Sequence, residues 1–575
     1  MRPGEGNLGR LAVAIAWLAI LVATAEAQNL DAESGRAAEG HLASEDSSEE
    51  PVMEVGEDSL SPQNGDVVII PELKSIRLFT DAGESGDDRA RAQAQALVDT
   101  RVQPGLKRYV GKPLTIAALI ELRREAQRIF DRHSSALMRV LIPEQEISSG
   151  EVVLVAIAAR VGEIEFTSES GQKGWRLSPG VTVDRQILID DLDWLNRPSF
   201  SSASVLLSPG DRPGETDLRV SVPEVEKPWV VFSSWDNHGV DTLGNDRWSF
   251  GAAHLDLFDR NIELTYQFLG DSEFDRLRAH LATAILPIPA WHHEIRWLGY
   301  VAESEGEFDA GAEFGPLLLG GTSWQSSLEY RIPLPRAFHR RLRHELVGGF
   351  DAKGADSSLE FGVLDPLRSN TETYQFQLGY ESDWSDEWGS TRFDLSLFVS
   401  PGNWSPQNED TAYEAARTGA DSSYAYLLAG VDRGFDLPLG AQLAMELKAQ
   451  VASTNLLPSE QLSLSGPWAV RGFAPSEWRA DSGLVLRNEL RAPAFAVLGA
   501  GDQWQPFGFV DLALGESVAP LPDEEELSLG ASGLGLKAEF GRFLSADFSY
   551  GWQIAENGFD DGETGRFQGR VTVRW

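Results

Sequence analysis

The chain has 575 residues, a formal net charge of −39 and no cysteine. The lack of cysteine excludes disulfide bonds, thiolate metal sites and thiol catalysis. The acidic balance argues against nucleic acid as a partner, because binding to the phosphate backbone requires Lys and Arg. A chain of this length has room for two or three domains.

The first 27 residues have the pattern of a secretory signal peptide. Arg2 and Arg10 precede an apolar run from Leu11 to Ala23, and Ala25-Glu26-Ala27 places small residues before a cleavage site at Gln28. The apolar run is too short to anchor a chain stably in a membrane. We therefore assign residues 1–27 to a signal peptide and expect the chain to be exported.

Residues 28–70 are predicted to form an acidic, disordered linker. Between Asn29 and Asp66 there are eleven carboxylates against the single Arg36. A segment with so little apolar surface cannot offset the entropy that it would lose on ordering. A second interpretation, in which a short helix around Ala32–Ala43 enters a pore, stays open, although the composition favours a solvated tether.

Residues 71–159 are predicted to form a small α+β domain. Thr115 is expected to cap a helix whose apolar positions recur at helical spacing, at Leu119, Leu122, Ala126, Ile129 and Phe130. The other predicted elements are a strand at Ser75–Phe79, a polar helix around Asp88–Val98, and strands at Leu137–Ile142 and Val152–Ala158. The order of elements is therefore β-α-α-β-β.

Residues 160–226 repeat this order more weakly and are predicted to form a second α+β domain. Its predicted elements are a strand at Gly162–Ser168, a helix at Asp184–Asn196 with apolar positions Ile187, Ile189, Leu192 and Leu195, and strands at Ser204–Leu207 and Leu218–Val222. Tandem repeats of this kind commonly provide extended binding surfaces. The open strand edges of such domains suit peptides that add themselves as an extra strand.

From residue 227 onward, apolar and polar residues alternate. A clear example is Ile262-Glu263-Leu264-Thr265-Tyr266-Gln267-Phe268. Counting weaker segments gives about sixteen strands up to Trp575, and single-chain bacterial barrels have an even number of strands. Short connections alternate with longer ones, which are predicted at Glu303–Gln325, Pro401–Ser422 and Ala452–Gly483. The pattern predicts a membrane β-barrel of antiparallel strands at residues 227–575.

The last ten residues, Arg566–Trp575, alternate most strictly. One face carries Phe567, Gly569, Val571, Val573 and Trp575, and the other carries polar or basic residues. The last strand of an outer-membrane barrel has this character, with apolar residues toward lipid, polar residues toward the lumen and an aromatic residue at the interface. We therefore expect this strand to close the barrel and to contact outer-membrane lipid.

Two motifs lie in the C-terminal part of the predicted barrel. Val470-Arg471-Gly472-Phe473 falls in the longest predicted loop, and Phe509-x-Asp511 follows two strands later. They resemble the Val-Arg-Gly-Phe/Tyr and Phe-x-Asp-x-Gly signatures of the outer-membrane transporters of two-partner secretion, the TpsB or haemolysin secretion/activation family, which have tandem POTRA (polypeptide-transport-associated) domains. The resemblance covers roughly Glu72 to Trp575, and Ala513 departs from it by replacing the final Gly of the second signature.

The resemblance implies a sixteen-stranded barrel and a function. The long loop would fold back into the lumen, where Arg471 would pair with Asp511, Gly472 would let the backbone turn and Phe473 would pack on the wall. The POTRA domains, in the periplasm, would bind an unfolded exoprotein (TpsA-like), which the barrel would secrete. The terminal strand, through Phe567, Val571, Val573 and Trp575, would be the signal that the barrel-assembly machinery reads.

Other interpretations stay open on the sequence alone. Arg471 could be a solvated residue of an external loop. A role in outer-membrane protein assembly or insertion is a second candidate function, although assembly factors usually carry more POTRA domains. A passive porin is a third, although porins lack periplasmic tandem domains.

Nothing in the sequence indicates an enzyme, a cofactor or a metal site. His292-His293 falls in a predicted turn without a spaced third ligand, and neither Asp81–Asp88 nor Asp523–Glu526 has the spacing of an EF-hand. The chain has no Gly-x-Ser-x-Gly elbow and no phosphate-binding Gly-Lys-Ser/Thr loop. We therefore predict a protein without catalytic residues, cofactors or bound metal.

Overall fold

The structure is a computed structural model. It describes residues 53–55, 67–81, 94–198, 201–212, 214–223, 228–309, 316–337, 341–360, 367–499, 501–522, 524–556 and 564–575. The predicted signal peptide and most of the predicted linker, including the candidate pore helix, lie outside these residues. Among the helices of the described residues, none combines the length and the apolar character that a membrane span needs.

The fold consists of two compact units, one made chiefly of residues 49–224 and one made chiefly of residues 225–575. The first unit contains β1 (Met53–Val55), β2 (Val68–Ile70), β3 (Ser75–Asp81), a π-helical turn (Val98–Val102), α1 (Gln103–Leu106), a 3-10 turn (Lys107–Tyr109), β4 (Leu114–Thr115), α2 (Ile116–His133), β5 (Met138–Leu141), β6 (Glu151–Ala158), β7 (Arg160–Phe166), a 3-10 turn (Glu169–Gln172), α3 (Arg185–Leu195), β8 (Ser204–Pro209) and β9 (Glu215–Ser221).

The first α+β domain packs α2 on a three-stranded sheet. Strand β6 lies in the centre, parallel to β3 and antiparallel to β5. Leu122, Ala126 and Phe130 are fully buried in one core with Leu154 of β6, so the predicted apolar face of α2 is the face that packs. Of the predicted helix at Asp88–Val98, residues 88–93 lie outside the described residues, and the described part continues further than expected, through α1 to Tyr109. It continues because the next apolar side chains in the same core follow at four-residue spacing, at Val98, Val102 and Leu106.

The second α+β domain repeats the arrangement. Its sheet has the order β1-β8-β9-β7, and Asp184 caps α3 by accepting hydrogen bonds from the backbone N of Gln186 (2.7 Å) and of Ile187 (3.3 Å). The fully buried positions of α3 include Leu188 and Leu192, whereas the predicted Ile187 is only partly buried. Trp194 also joins the core, because α3 is buried over more of its circumference than a single stripe.

Part of the segment predicted to be a disordered linker forms strands. Met53–Val55 is β1, which pairs in parallel with β8, with Met53 opposite Val205 and Val55 opposite Leu207. Val68–Ile70 is β2, which pairs with β4. The prediction of disorder is therefore wrong at these residues, because an existing sheet edge can order a segment that could not bury a core of its own.

The second unit is a closed barrel of sixteen strands in the described residues, and neighbours along the chain pair antiparallel. The barrel strands are β10 (Trp229–Asp236), β11 (Arg247–Leu257), β12 (Ile262–Asp271), β13 (Leu277–Ile288), β14 (His293–Asp309), β15 (Pro316–Ala337), β16 (Leu342–Glu360), β17 (Leu367–Asp386), β18 (Gly389–Pro401), β19 (Ser423–Asp436), β20 (Gln442–Ala452), β23 (Ser482–Arg491), β24 (Asp502–Glu516), β25 (Leu527–Phe540), β26 (Leu544–Glu556) and β27 (Gly565–Arg574). Two short strands, β21 (Leu462–Ser463) and β22 (Arg479–Ala480), pair with each other inside one connection.

Barrel closure and the two faces of the wall agree with the predictions. Strand β27 pairs antiparallel with β10, so the last strand closes the barrel. In β12 the side chains of Leu264 and Tyr266 are exposed on the outside, whereas Glu263 and Gln267 are buried. A barrel with lipid outside and a polar lumen inside requires this division of apolar and polar side chains.

The predicted long loop at Glu303–Gln325 is wrong. Strand β14 continues to Asp309 and β15 begins at Pro316, with Glu305 opposite Gly320 in an uninterrupted ladder. Beyond the region that contacts lipid, strand pairing needs only backbone partners, so the apolar alternation that would have marked these strands is absent. The other two predicted long connections are present, at residues 402–422 and 453–481; the former contains a 3-10 turn (Pro406–Asn408) and α4 (Asp410–Ala416).

The cap of α2 offers a local test of the first domain. The hydroxyl of Thr115 accepts a hydrogen bond from the backbone N of Ala118 at 3.1 Å. Thr115→Ala should destabilise the first turn of α2 by about 1 kcal/mol, which speeds its amide hydrogen exchange about fivefold. Hydrogen-exchange mass spectrometry of the full chain in detergent measures this change, and Thr115→Ser is the matched control. Equal exchange in Thr115→Ala and the unaltered protein would contradict the assigned cap.

Candidate functional site

The connection between β20 and β23, residues 453–481, is the candidate site, and we call it the lumen loop. Its motif residues are almost completely inaccessible to solvent, with Val470 0%, Arg471 4% and Phe473 1% exposed. Their contacts are with side chains on the inner face of the barrel strands, which places the loop inside the barrel. A solvated arginine on an external loop is therefore excluded.

Arg471 binds Asp511 of β24 through three hydrogen bonds. Its Nε donates to Oδ2 at 2.7 Å, its Nη2 donates to Oδ1 at 2.8 Å, and its backbone N donates to Oδ2 at 3.2 Å. Asp511 is 0% exposed, so the ion pair is shielded from water. The two side-chain hydrogen bonds make the contact bidentate. A buried charge of this kind is costly without its partner, and the pair therefore fixes where the loop can lie.

A second carboxylate, which the sequence analysis missed, completes the arginine site. Glu489 of β23 accepts a hydrogen bond from Nη1 of Arg471 at 2.5 Å. The same carboxylate also accepts hydrogen bonds from Nε of Arg491 at 2.9 Å and from Nζ of Lys537 at 3.1 Å. The sequence does show that Glu489 and Arg491 lie on the same face of a strand, because they are two residues apart. That spacing does not identify Glu489 as the partner of the distant Arg471.

Two aromatic rings of β24 flank the guanidinium. The Cζ atom of Arg471 lies 3.7 Å from the ring centroid of Phe509 and 5.8 Å from that of Phe507. Stacking of this kind holds the flat face of a guanidinium while its edge binds carboxylates. Phe509 was singled out from its motif, whereas Phe507 was not, although it lies two residues away on the same face of the strand.

The loop reaches the wall most closely at two glycines. Gly472 has φ of +98°, and a Cβ built on it would lie 2.9 Å from the carbonyl O of Gly551 in β26. A Cβ on Gly551 would lie 2.8 Å from the backbone N of Gly472. The side chain of Gln553 then donates to the carbonyl O of Gly472 at 3.0 Å. Both glycines are therefore needed for backbone-to-backbone contact, and Gly472 also for its left-handed conformation.

Val470 and Phe473 anchor the motif through apolar packing. They share one buried cluster with residues of the neighbouring wall, among them Ala513 of β24 and Ala531 of β25. The position at which the family signature has Gly therefore carries a methyl group that packs in this cluster. The replacement of Gly by Ala at position 513 is compatible with the site for that reason.

Trp468 of the lumen loop contacts a third region of the wall. Its ring lies 5.1 Å from the Cζ atom of Arg570 in β27 and packs edge-on against the ring of His238, with centroids 6.0 Å apart. His238 lies in the connection between β10 and β11, and burial lowers its pKa to about 4. The imidazole is therefore neutral at neutral pH and packs as an uncharged ring.

Glu460, near the start of the lumen loop, binds a different group of barrel strands. Glu460 is 3% exposed, and its Oε1 lies 3.1 Å from Nζ of Lys353 in β16. Its Oε2 accepts hydrogen bonds from Gln375 of β17 and from the hydroxyl of Tyr426 of β19, both at 2.9 Å. Because β17 and β27 are eight strands apart in the sixteen-stranded barrel, the lumen loop crosses the lumen between Glu460 and Trp468. The sequence analysis missed Glu460 and its partners.

The root of the lumen loop is tied to other connections. Asp481, which is 0% exposed, pairs with Arg417 and accepts a hydrogen bond from the backbone N of Leu456 at 3.0 Å. Arg417 belongs to the connection at 402–422, and its Nη2 also donates to the hydroxyl of Ser517 at 3.1 Å. Three connections at the same end of the barrel thus meet at one buried ion pair.

The remaining sequence-predicted residues lie away from this site. Phe567 and Trp575 of the terminal segment are exposed on the barrel surface, while Val571 and Val573 are partly buried in β27. His293 bonds the hydroxyl of Tyr330 at 2.6 Å. Within the described residues there is no group of three or more His, Asp or Glu side chains arranged to hold a metal ion. The function of the terminal residues as an assembly signal stays a prediction.

Comparison with known proteins identifies a family. The model of the haemolysin secretion/activation proteins ShlB/FhaC/HecB matches residues 214–538, and that of the ShlB-type POTRA domain matches residues 91–158. The outer membrane transporter CdiB-2 of Burkholderia pseudomallei is 25% identical over 395 residues, which is 64% of each chain. The heme/hemopexin transporter protein HuxB of Haemophilus influenzae (strain 86-028NP) is 24% identical over 411 residues, or 69% of this chain and 70% of that one. The matched region thus spans slightly less than two thirds of the Burkholderia protein.

Two solved structures share the fold. CdiB from Escherichia coli superposes with a TM-score of 0.72 at 17% identity, over 96% of this chain and 98% of that one. CdiB from Acinetobacter baumannii superposes with a TM-score of 0.64 at 16% identity, over 97% and 99% of the two chains. The sixteen-stranded barrel with POTRA-type N-terminal domains is therefore a fold that these proteins have in common.

The contact between Gly472 and Gly551 predicts how the loop can be displaced. Gly551→Ala should push the loop tip from the wall, because the new methyl group would overlap backbone atoms that cannot rotate away. Protease cleavage within residues 453–481 of the barrel in outer-membrane vesicles should then increase. Gly348→Ala in β16 is the matched control, since a Cβ there meets nothing within 4 Å. Equal resistance of both variants to protease would contradict the assigned contact.

Proposed function

The chain belongs to the haemolysin secretion/activation family, and on that premise we propose that it is a two-partner secretion pore that captures an unfolded exoprotein in the periplasm and passes it through the barrel. Its barrel lies in the outer membrane with the N-terminal domains in the periplasm. Residues 1–27 direct export, and residues 71–159 and 160–226 are the two POTRA domains that precede the barrel at 227–575.

One observation carries the proposal. The lumen loop is held inside the barrel by Arg471 and Asp511, and it crosses the lumen between Glu460, which binds β17, and Trp468, which contacts β27. A passive porin needs an open aqueous path, whereas a loop pinned across the lumen occupies that path. A closed barrel with a displaceable internal loop fits a pore that opens for a polymer substrate and otherwise seals the membrane.

Capture of the exoprotein is assigned to the open strand edges of the POTRA domains. The outer edge of β8 binds β1 of this same chain as a parallel strand, so this edge supports strand addition, and an exoprotein would bind there in place of β1. An unfolded exoprotein presents extended backbone that can bind in the same way, and alternate side chains would provide specificity. The proposed partner is therefore a TpsA-like exoprotein that binds by β-augmentation.

The remaining partners and the energy source follow from the location. The terminal strand, through Phe567, Val571, Val573 and Trp575, is read by the barrel-assembly machinery during biogenesis. The periplasm contains no nucleotide supply, so folding of the exoprotein outside the cell provides the direction of transport. No step of this process requires a catalytic residue, a cofactor or a metal ion.

The buried arginine provides the test of the proposed function. Arg471→Ala leaves Asp511 and Glu489 without their shared cation, and breaking a buried pair costs about 3–5 kcal/mol. We expect at least tenfold less of one large exoprotein in the medium and on the cell surface, with the barrel still in the outer membrane. Mass spectrometry of secreted and surface proteins measures this loss, and quantification of the barrel in the same cells normalises it.

Arg331→Ala is the matched control for the removal of a buried cation. Arg331 is 8% exposed and binds Glu345 and Glu381, which are both wall residues. Cells with Arg331→Ala should therefore secrete more exoprotein than cells with Arg471→Ala at equal barrel abundance. General loss of many outer-membrane barrels in a strain without this chain would identify an assembly factor instead. An unchanged set of secreted proteins in that strain would contradict secretion altogether.

Strand addition at β8 makes a separate prediction about binding. Deleting residues 53–55 removes β1, so the β8 edge becomes free and a client that uses it should bind several-fold more tightly. Binding of an N-terminal exoprotein fragment to the detergent-solubilised full chain measures the affinity. Deletion of residues 44–46 is the control of equal length. Equal affinities of the two deletion variants would place the client on another surface.

A further inference from the structure

We propose that Glu460 is the releasable contact of the lumen loop, so that the pore opens when residues 457–461 move away from β16–β19 while Arg471 stays bound to the wall. The inference rests on the proposed function, since it describes how the same barrel opens for its substrate. It assigns a positioning role to Glu460 and Lys353, which none of the sequence motifs includes.

The receiving site for Glu460 is built from three wall strands. Lys353 of β16 supplies the cation, and Gln375 of β17 and Tyr426 of β19 supply neutral donors. Gln375 is 0% exposed and is itself held by the hydroxyl of Tyr424 and by Asp351, at 2.9 Å each. The partners are therefore fixed before the carboxylate arrives, which makes the site a preformed receptor for one loop residue.

Glu460 and Arg471 are held by contacts of different strength. At Arg471 a bidentate guanidinium pair, a second carboxylate and two aromatic rings act together, and the adjacent Gly472 packs directly on the wall. At Glu460 a single ammonium group faces the carboxylate, and the other side-chain partners are neutral. Charged, two-pronged contacts are stronger than neutral hydrogen bonds, so the Glu460 end should separate first.

The chain geometry permits such a movement without unravelling the loop. Leu456 is held at the root through its backbone hydrogen bond to Asp481, and Arg471 is held on β24. The segment between them contains Glu460, whose carbonyl O also accepts a hydrogen bond from Gln450 of β20 at 2.9 Å. Release of residues 457–461 breaks the ion pair of Glu460 and neutral hydrogen bonds such as those from Gln375 and Tyr426, and it clears the part of the lumen that faces β16–β19. The pairing of β21 with β22 and the packing of Val470 on the wall stay in place.

Ion conductance through the purified full chain in a planar bilayer tests this without any exoprotein. Glu460→Gln and Lys353→Met should each increase the occupancy of the high-conductance state about tenfold, which corresponds to about 1.4 kcal/mol. The double variant should resemble the single variants, because both changes remove the same ion pair. Glu381→Gln is the matched control, since that lumen carboxylate binds Arg331 on the wall and should leave the conductance unchanged.

A reversible tether tests which end must move. The native chain has no cysteine, so Lys353→Cys/Glu460→Cys can be joined selectively by a short bis-maleimide with a cleavable spacer. The joined pore should lose its high-conductance state and secrete at least tenfold less exoprotein, and cleavage of the spacer should restore both. Ser463→Cys/Ser476→Cys is the control, because these hydroxyls lie 3.3 Å apart within the loop and their linkage does not bind the loop to the wall.

Two results would overturn the inference. One is wild-type conductance in Glu460→Gln, since the ion pair would then not hold the loop. The other is normal opening or secretion by the joined Lys353→Cys/Glu460→Cys pore, since the loop would then open elsewhere. If the unaltered chain secretes no exoprotein, the proposed function fails, while the conductance measurements still decide the role of Glu460.

Discussion

The structure depends on one buried charge that the loop brings into the barrel. Arg471 is 4% exposed, and its charge is tolerable there only because Asp511 and Glu489 are presented on the inner face of β24 and β23. The buried charges of the two carboxylates are in turn stabilised by the arginine of the loop. The loop and the wall are thus mutually dependent, and the position of residues 453–481 inside the lumen follows from electrostatics as much as from packing.

The closed sheet explains how such a site can exist in a membrane. Each of the sixteen described barrel strands has a partner on both sides, so no edge of this closed sheet meets lipid. Alternation then places one half of the side chains toward lipid and leaves the other half free to carry charge. The same rule that makes β24 compatible with lipid, through outward residues such as Val510 and Leu512, directs Phe509 and Asp511 inward. The barrel wall is therefore the structural support of the binding site.

Local patterns were sufficient for much of the fold and for part of the site. The period-two alternation of the last strand predicted barrel closure, and helical spacing after Thr115 predicted α2, because both depend on residues close in sequence. The extent of β14 and β15 was missed because their outer parts carry no apolar alternation. Strand β1 was missed because its order comes from an edge about 150 residues away.

The site residues that the sequence analysis did not find have a similar explanation. Arg471 could be connected with Asp511 through the resemblance to a family, whereas Glu489 and Glu460 belong to no motif that was recognised. Their partners come from β16, β17, β19 and β25, and only the register of the closed sheet brings these strands around one loop. A residue pattern does not contain that register, since a shift by one position would turn each of these side chains to the other face.

The central claim is that an exoprotein passes through the lumen, and site-specific photo-crosslinking tests it most directly. A photoreactive amino acid at Gln377, whose side chain bonds Ser396 inside the barrel, is compared with one at the adjacent Leu378, which is 63% exposed on the outer face. The exoprotein is stalled during transport by fusion to a folded, disulfide-bonded domain. The account predicts exoprotein adducts at Gln377 and none at Leu378. Adducts confined to Leu378, or nascent barrel proteins in place of the exoprotein, would contradict it.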